Sequence, residues 1–220
     1  MPDEQRTSGG DAGLVEAVSE HLDHCFGEQV GWVLHEIVSP RIHVDVHLVR
    51  ANDDFPCWRL VTSGLAEAPM TVPPGFPETP LAELTIALPR DWLIGEEAFK
   101  NESAYWPVRL LKVLARLPHD YSTFLWYGHT IPNGDPPEPY AKDTDLCCAL
   151  IIPPQRAPDD FGELELVDGR RVRFLGVLPI YSSEMRFALA RGSRALRELL
   201  ADHGIADVVD PSRPSVVPKQ

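Results

Sequence analysis

His43, Asp45 and His47, spaced two apart, are the residues whose types and spacing most invite chemistry. On an extended strand alternate residues share one face, about 6.5–7 Å apart. Two histidines in that register can ligate one metal ion, and Asp45 between them could be a third ligand. A metal-dependent hydrolase using His43, Asp45 and His47 is therefore the alternative reading of this stretch. Against it, one strand cannot close a tetrahedral site, and no further ligand stands out. Solvated strand faces also carry His and Asp routinely. Ser63 precedes Gly64 but sits in no G-x-S-x-G elbow. Neither a P-loop nor a G-x-G-x-x-G is present. Cys25, Cys57, Cys147 and Cys148 show no C-x-x-C and no zinc spacing. The expectation is a non-enzymatic chain with no catalytic residue, no resident metal and no cofactor.

The element that must position these residues is a hairpin over Arg41–Gly64. Ile42, Val44, Val46 and Leu48 alternate with polar residues, the period of a strand with one buried face. A polar loop, Ala51 to Pro56, leads to a second extended run from Trp58 to Thr62, and Gly64 supplies the turn that ends it. Before the hairpin, Asp11 can cap a helix over 12–26. A strand over 30–38 and a Ser39-Pro40 turn follow it. After the hairpin, Glu83 to Leu88 reads as a strand and Glu96–Lys100 as a short helical turn. A helix spans Tyr105–Leu117, with Leu110, Leu111, Leu114 and Leu117 in one stripe and Pro118 closing it. Strands at 146–152, a hairpin over 164–174 turning at Asp168-Gly169, and an extended run at 176–181 come next. Two helices, near 183–191 and 194–203, end the pattern. The order predicts one α+β domain, a mixed and mostly antiparallel sheet flanked by helices. Residues 1–10 read as disordered, 11–204 as the domain and 205–220 as a loose tail.

Composition bounds the function. The 220 residues carry 33 acidic and 20 basic side chains, a formal net charge of −13. Nucleic-acid binding needs clustered Lys and Arg, so no nucleic acid is expected. No apolar run is long enough to span a membrane, and the N-terminus leads into no apolar signal segment. Adjacent Cys147 and Cys148 should point to opposite faces of one strand, so all four thiols are expected free, and the location cytoplasmic.

Several segments in series resemble the suppressor of fused family, in its N-terminal-type domain. They are His43-Val44-Asp45-Val46; Leu60-Val61-Thr62-Ser63-Gly64 with Pro69-Met70; Glu83-Leu84-Thr85-Ile86; Trp106-Pro107; Leu114-Ala115-Arg116; Gly128-His129-Thr130; and Phe174-Leu175-Gly176-Val177. The helix from Arg194 to Leu200 completes the match, which covers about residues 30–203. The resemblance implies an α+β sandwich-like domain that binds other proteins and is not known for catalysis. Short bacterial members look like immunity proteins that neutralise polymorphic toxins. The partner expected on this reading is a protein, a basic toxin in particular; a regulatory binding module with a nontoxin partner is the other alternative. Proline-rich loops over Ala66–Pro80, Pro132–Pro139 and Pro153–Asp160 can present contacts at low ordering cost. Their acidic residues, Glu78, Asp135, Glu138, Asp159 and Asp160, are the candidate contacts for a basic protein. Tyr105-Trp106 and Trp126-Tyr127 can serve either as interface anchors or as core.

Overall fold

The computed structural model describes residues 12–36, 42–76 and 80–218. The expected disordered N-terminus, the Asp11 cap, the Ser39-Pro40 turn and Glu78 lie outside these residues. Eight strands form one sheet: β1 Val30–Leu34, β2 Asp45–Val49, β3 Cys57–Ser63, β4 Leu81–Pro89, β5 Thr130–Pro132, β6 Cys148–Ile152, β7 Glu163–Glu165 and β8 Arg171–Ile180. Their order is β1-β2-β3-β4-β8-β6-β5, with β7 also paired to β8. Among the described residues only the central β4–β8 ladder is parallel. The helices are α1 Ala12–Phe26, α2 Glu102–Asp120, α3 Ser182–Arg191 and α4 Ser193–Asp202. The architecture is α+β, an open mixed sheet flanked by helices.

Strand alternation divides the sheet into two apolar faces. Val46, Leu48, Leu60, Leu84, Ile86, Leu175 and Val177 face α2 through Trp106, Val108, Leu111 and Leu114. On the other face Val49, Val61, Val172 and Phe174 meet Leu14, Val18 and Leu22 of α1. Further along that face Cys148, Leu150, Leu178 and Ile180 pack on Leu196 and Leu200 of α4. Because both faces are covered, all five residues of β2 are buried. This corrects the expectation of a solvated His43/Asp45/His47 face.

Gly64 is required where it stands. Its φ is +133°, and a Cβ there would lie 1.9 Å from the His43 carbonyl oxygen, a spacing no side chain tolerates. Helix α2 is longer than its apolar stripe suggested. Asn101 caps its start by accepting from the Ser103 N–H, and Pro118, deep in the last turn, forgoes one hydrogen bond without ending it. The extended run at 176–181 is the second half of β8, not a separate strand.

The segment after 204 differs most from expectation. Residues 205–218 form a strap held against the body. Val208 bridges Ala87 in parallel, and the Val209 N–H donates to the Ala87 carbonyl at 2.9 Å. Thr144 donates to the Pro211 carbonyl at 2.8 Å. Asp207, Val209 and Arg213 are buried. No helix among the described residues is long and apolar enough to cross a membrane.

Candidate protein-binding surface

The structure does not bring His43, Asp45 and His47 to one point. The Asp45 carboxylate accepts from His35 Nδ1 at 2.8 Å, the Glu36 N–H at 2.9 Å and His43 Nε2 at 2.9 Å. Burial raises the Asp45 pKa, but the Glu36 N–H, then His35 and His43, pull it below the usual range. His47 turns away to Ser63, with Nε2 2.8 Å from Oγ. That pair has the geometry of a base beside a hydroxyl nucleophile. Yet both side chains are 0% exposed, and His47 Nδ1 has no partner to orient the ring. No substrate can reach them. Among the described residues no group of three or more His, Cys, Asp or Glu is arranged to hold a metal.

Two further buried polar groups serve the fold. Glu83 accepts from Thr62 Oγ1 at 2.5 Å, the Gly64 N–H at 2.8 Å and the Ala66 N–H at 3.0 Å. Arg59 donates to the Gln155 carbonyl at 2.6 Å and to Asp207 Oδ2 and Thr85 Oγ1 at 3.2 and 3.3 Å. Its guanidinium lies over the Phe161 ring. Arg59 thus ties the centre of the sheet to the 153–161 loop and to the strap.

Burial sets the pH response of this interior. It pushes His47 down from 6.5 to about 4, against the opposing pull of Asp45. The unfolded chain therefore takes up the proton first. The stability due to neutral His47 is complete above pH 6.5 and is lost as pH falls toward 4. Glu83 has the opposite sign. Burial lifts it from 4.5 to about 7 despite its donors, so its contribution is complete below 4.5 and is lost as pH rises through 7. In urea titrations across this range, His47→Gln should flatten the acid-side loss and Glu83→Gln the loss toward neutrality. A His47→Gln midpoint that follows the wild-type pH profile would show that this histidine is not held neutral.

The acidic residues expected to meet a partner are on the surface. Asp135 and Glu138 are exposed in the connection leaving β5. That turn is closed by the Glu138 N–H donating to the Asn133 carbonyl at 2.8 Å and by Asn133 Nδ2 donating to the Glu138 carbonyl at 2.7 Å. β5 pairs only with β6 and is a terminal strand of the sheet. Asp159 and Asp160 are also exposed, but they lie elsewhere. Asp160 accepts from His24 Nε2 at 3.1 Å at the end of α1. The four acidic residues therefore form two separate pairs, one by β5 and one by α1.

The aromatic pairs also separate. Trp106 is core, 1% exposed and stacked on Tyr140. Trp126 and Tyr127 are half-buried in a cluster with Phe76 and Phe124, with Arg173 over the Trp126 ring. Cys147 precedes β6, so its sulfur does not oppose that of Cys148 across the strand; the two lie 4.0 Å apart as a thiol–thiol hydrogen bond, with no disulfide. Sequence reasoning passed over Trp92 and Leu93, although Leu93 is 70% exposed. The apolar run Trp92-Leu93-Ile94 set between Asp91 and Gly95-Glu96 was the available signal.

A family model described as suppressor of fused protein matches residues 40–214. Among solved structures, the chain is similar to a putative suppressor of fused homolog from Neisseria gonorrhoeae. The two are 20% identical over 94% of this chain and 98% of that one, with a TM-score of 0.67. It is also similar to a chain of a Sufu–Fu complex, at 15% identity over 93% of this chain and 92% of that one, TM-score 0.65. Drosophila Suppressor of Fused matches 93% of this chain with 51% of its own length, at 15% identity and TM-score 0.58. At these identities the structures show a shared fold. No curated protein matches the chain.

Proposed function

Because the chain belongs to the suppressor of fused family, we propose that it acts as a non-enzymatic binding partner of a basic protein, a toxin that it neutralises in the cytoplasm. The observation that carries this reading is the exposed Asp135/Glu138 turn that leaves the terminal strand β5. Carboxylates there favour a partner segment bearing Lys or Arg. The net charge of −13 adds attraction at longer range. The His47–Ser63 pair is sealed from solvent, which leaves the surface to do the work. One structural relative was solved as a Sufu–Fu complex, which supports a protein as the partner here too. Four cysteines without a disulfide suit a reducing compartment. Asp159 and Asp160 are a second proposed contact, by α1.

The test uses the product of the gene adjacent to this one. Stopped-flow association at low salt should slow by about tenfold or more when Asp135 and Glu138 are both changed to Lys, with weaker salt dependence and unchanged folding. Equal rates at low salt would remove the β5 turn from the interface. A neighbouring product that neither harms cells nor binds this chain would overturn the toxin reading.

A further inference from the structure

On the side of the molecule where β4 ends, four separated segments enclose a groove of about 590 Å³. One wall is Trp92 and Leu93. The Trp92 indole N–H donates to the Ala104 carbonyl at 3.0 Å, and its ring meets Trp106 edge to face at 5.9 Å. That wall is fixed before any partner arrives. Leu93 beside it is 70% exposed, a large apolar side chain with nothing over it. Around this apolar floor stand Asp91, Glu97, Asp143 and Asp210, and no basic residue lines the groove. Lys100 offsets Glu97 from outside at 2.5 Å. Asp210 spends one oxygen on Ser212. Asp91 and Asp143 make no ion pair among the described residues.

The start of α2 also borders the groove, through Asn101 and Ser103. A helix N-terminus contributes roughly half a positive charge. Four carboxylates against one lysine and that half charge leave the groove strongly negative. A groove that pairs an uncovered leucine with a surplus of carboxylates is complementary to an apolar side chain flanked by cations.

We infer that the Trp92/Leu93 groove docks a segment of a basic protein that presents an apolar side chain next to lysine or arginine. The apolar side chain lies on Leu93 and Trp92, and the cations reach Asp91 and Asp143. This deepens the proposed function, on which it rests, by stating what the partner must present. It adds a contact distinct from the β5 turn.

The probe is a short synthetic peptide of leucine, arginine and glycine, with glutamate replacing arginine in the control. Titrated into the full chain labelled with nitrogen-15, the arginine peptide should shift the Trp92 indole N–H and the Leu93 amide resonances, and the control should not. Asp91→Asn with Asp143→Asn should weaken the arginine peptide by about tenfold at low salt, and Leu93→Ser by about fivefold. Asp135→Lys with Glu138→Lys should change its affinity by no more than about twofold. These side chains are exposed, so the variants should fold as the wild type does. Unshifted Trp92 and Leu93 resonances, or unchanged affinity in the Asp91/Asp143 variant, would overturn the groove. If shifts map to the β5 turn instead, the groove fails while the protein-binding reading stands. If the groove binds the peptide but the neighbouring gene product does not bind the chain, the groove stands and the toxin reading fails.

Discussion

Arg213→Ala should cost about 3–5 kcal/mol of folding stability, because it strands a buried carboxylate. Arg213 donates to both oxygens of Glu184 at 2.7 Å and to the Pro179 carbonyl at 3.3 Å. Its guanidinium also lies over the Tyr181 ring. Both charged groups are buried. Glu184 serves several elements at once. It accepts from the Tyr181 N–H at the start of α3 and from the Val216 N–H of the strap, each at 3.0 Å. Without Arg213 those two donors remain, but the charge they share has no cation. The strap should then loosen together with the start of α3. Urea unfolding of the full chain reads the loss. Replacing both Arg213 and Glu184 by methionine should restore part of it, since a buried pair exchanged for apolar groups of similar size is often close to neutral, less the cost of leaving the Tyr181 and Val216 N–H groups without this acceptor. An Arg213→Ala midpoint equal to wild type would mean that the strap is not held by this pair.

That strap also shows where sequence reasoning stops. Its anchor points are single residues, Asp207, Val209 and Arg213, spread among prolines, serines and aspartates. No period of two or of 3.6 can emerge from them. Their partners, Arg59, Ala87 and Glu184, stand far away in the chain. The elements that were legible are those whose signal is local. Val46 and Leu48 alternate along β2, continuing from Val44 just before it, and the stripe of Leu110, Leu111 and Leu114 marks α2. Asp168-Gly169 marks the turn into β8. Their common limit is that periodicity reports that a face is apolar and not whether the opposite face is also covered. His43, Asp45 and His47 therefore read as solvated, although His35, Glu36 and His43 close around Asp45 and His47 turns to Ser63. The acidic turns were legible as turns, but which element each leans on was not. The Trp92/Leu93 groove is assembled from β4, the Ala98–Lys100 turn, the 143 region and the strap, so no single stretch could announce it.

Trp106→Ala should cost about 3–5 kcal/mol, the loss of a large buried side chain together with the cavity it leaves. Sequence left Trp106 and Trp126 equivalent as aromatic candidates, and the structure separates them by what surrounds them. Trp106 stands in the second turn of α2, followed by Pro107, which lies inside the helix and has no N–H to give to its ladder. Its ring stacks on Tyr140 with centroids 5.1 Å apart and planes 6° from parallel. On another side Trp92 approaches it edge to face. Tyr140 is itself buried, and its carbonyl accepts from Arg109 of α2 at 2.8 Å. Trp106 thus fills the space between α2, the 140 loop and the Trp92 wall, and no neighbouring backbone can move in to close a void of that size. Trp106→Phe keeps a ring between Tyr140 and Trp92 and should lose clearly less than the alanine variant. Trp126→Ala, at the half-exposed cluster with Phe76 and Phe124, should lose less than Trp106→Ala as well. Denaturant midpoints of the three variants order the sites directly. Trp126→Ala falling below Trp106→Ala would reverse the assignment of which aromatic is core and which is available to a partner.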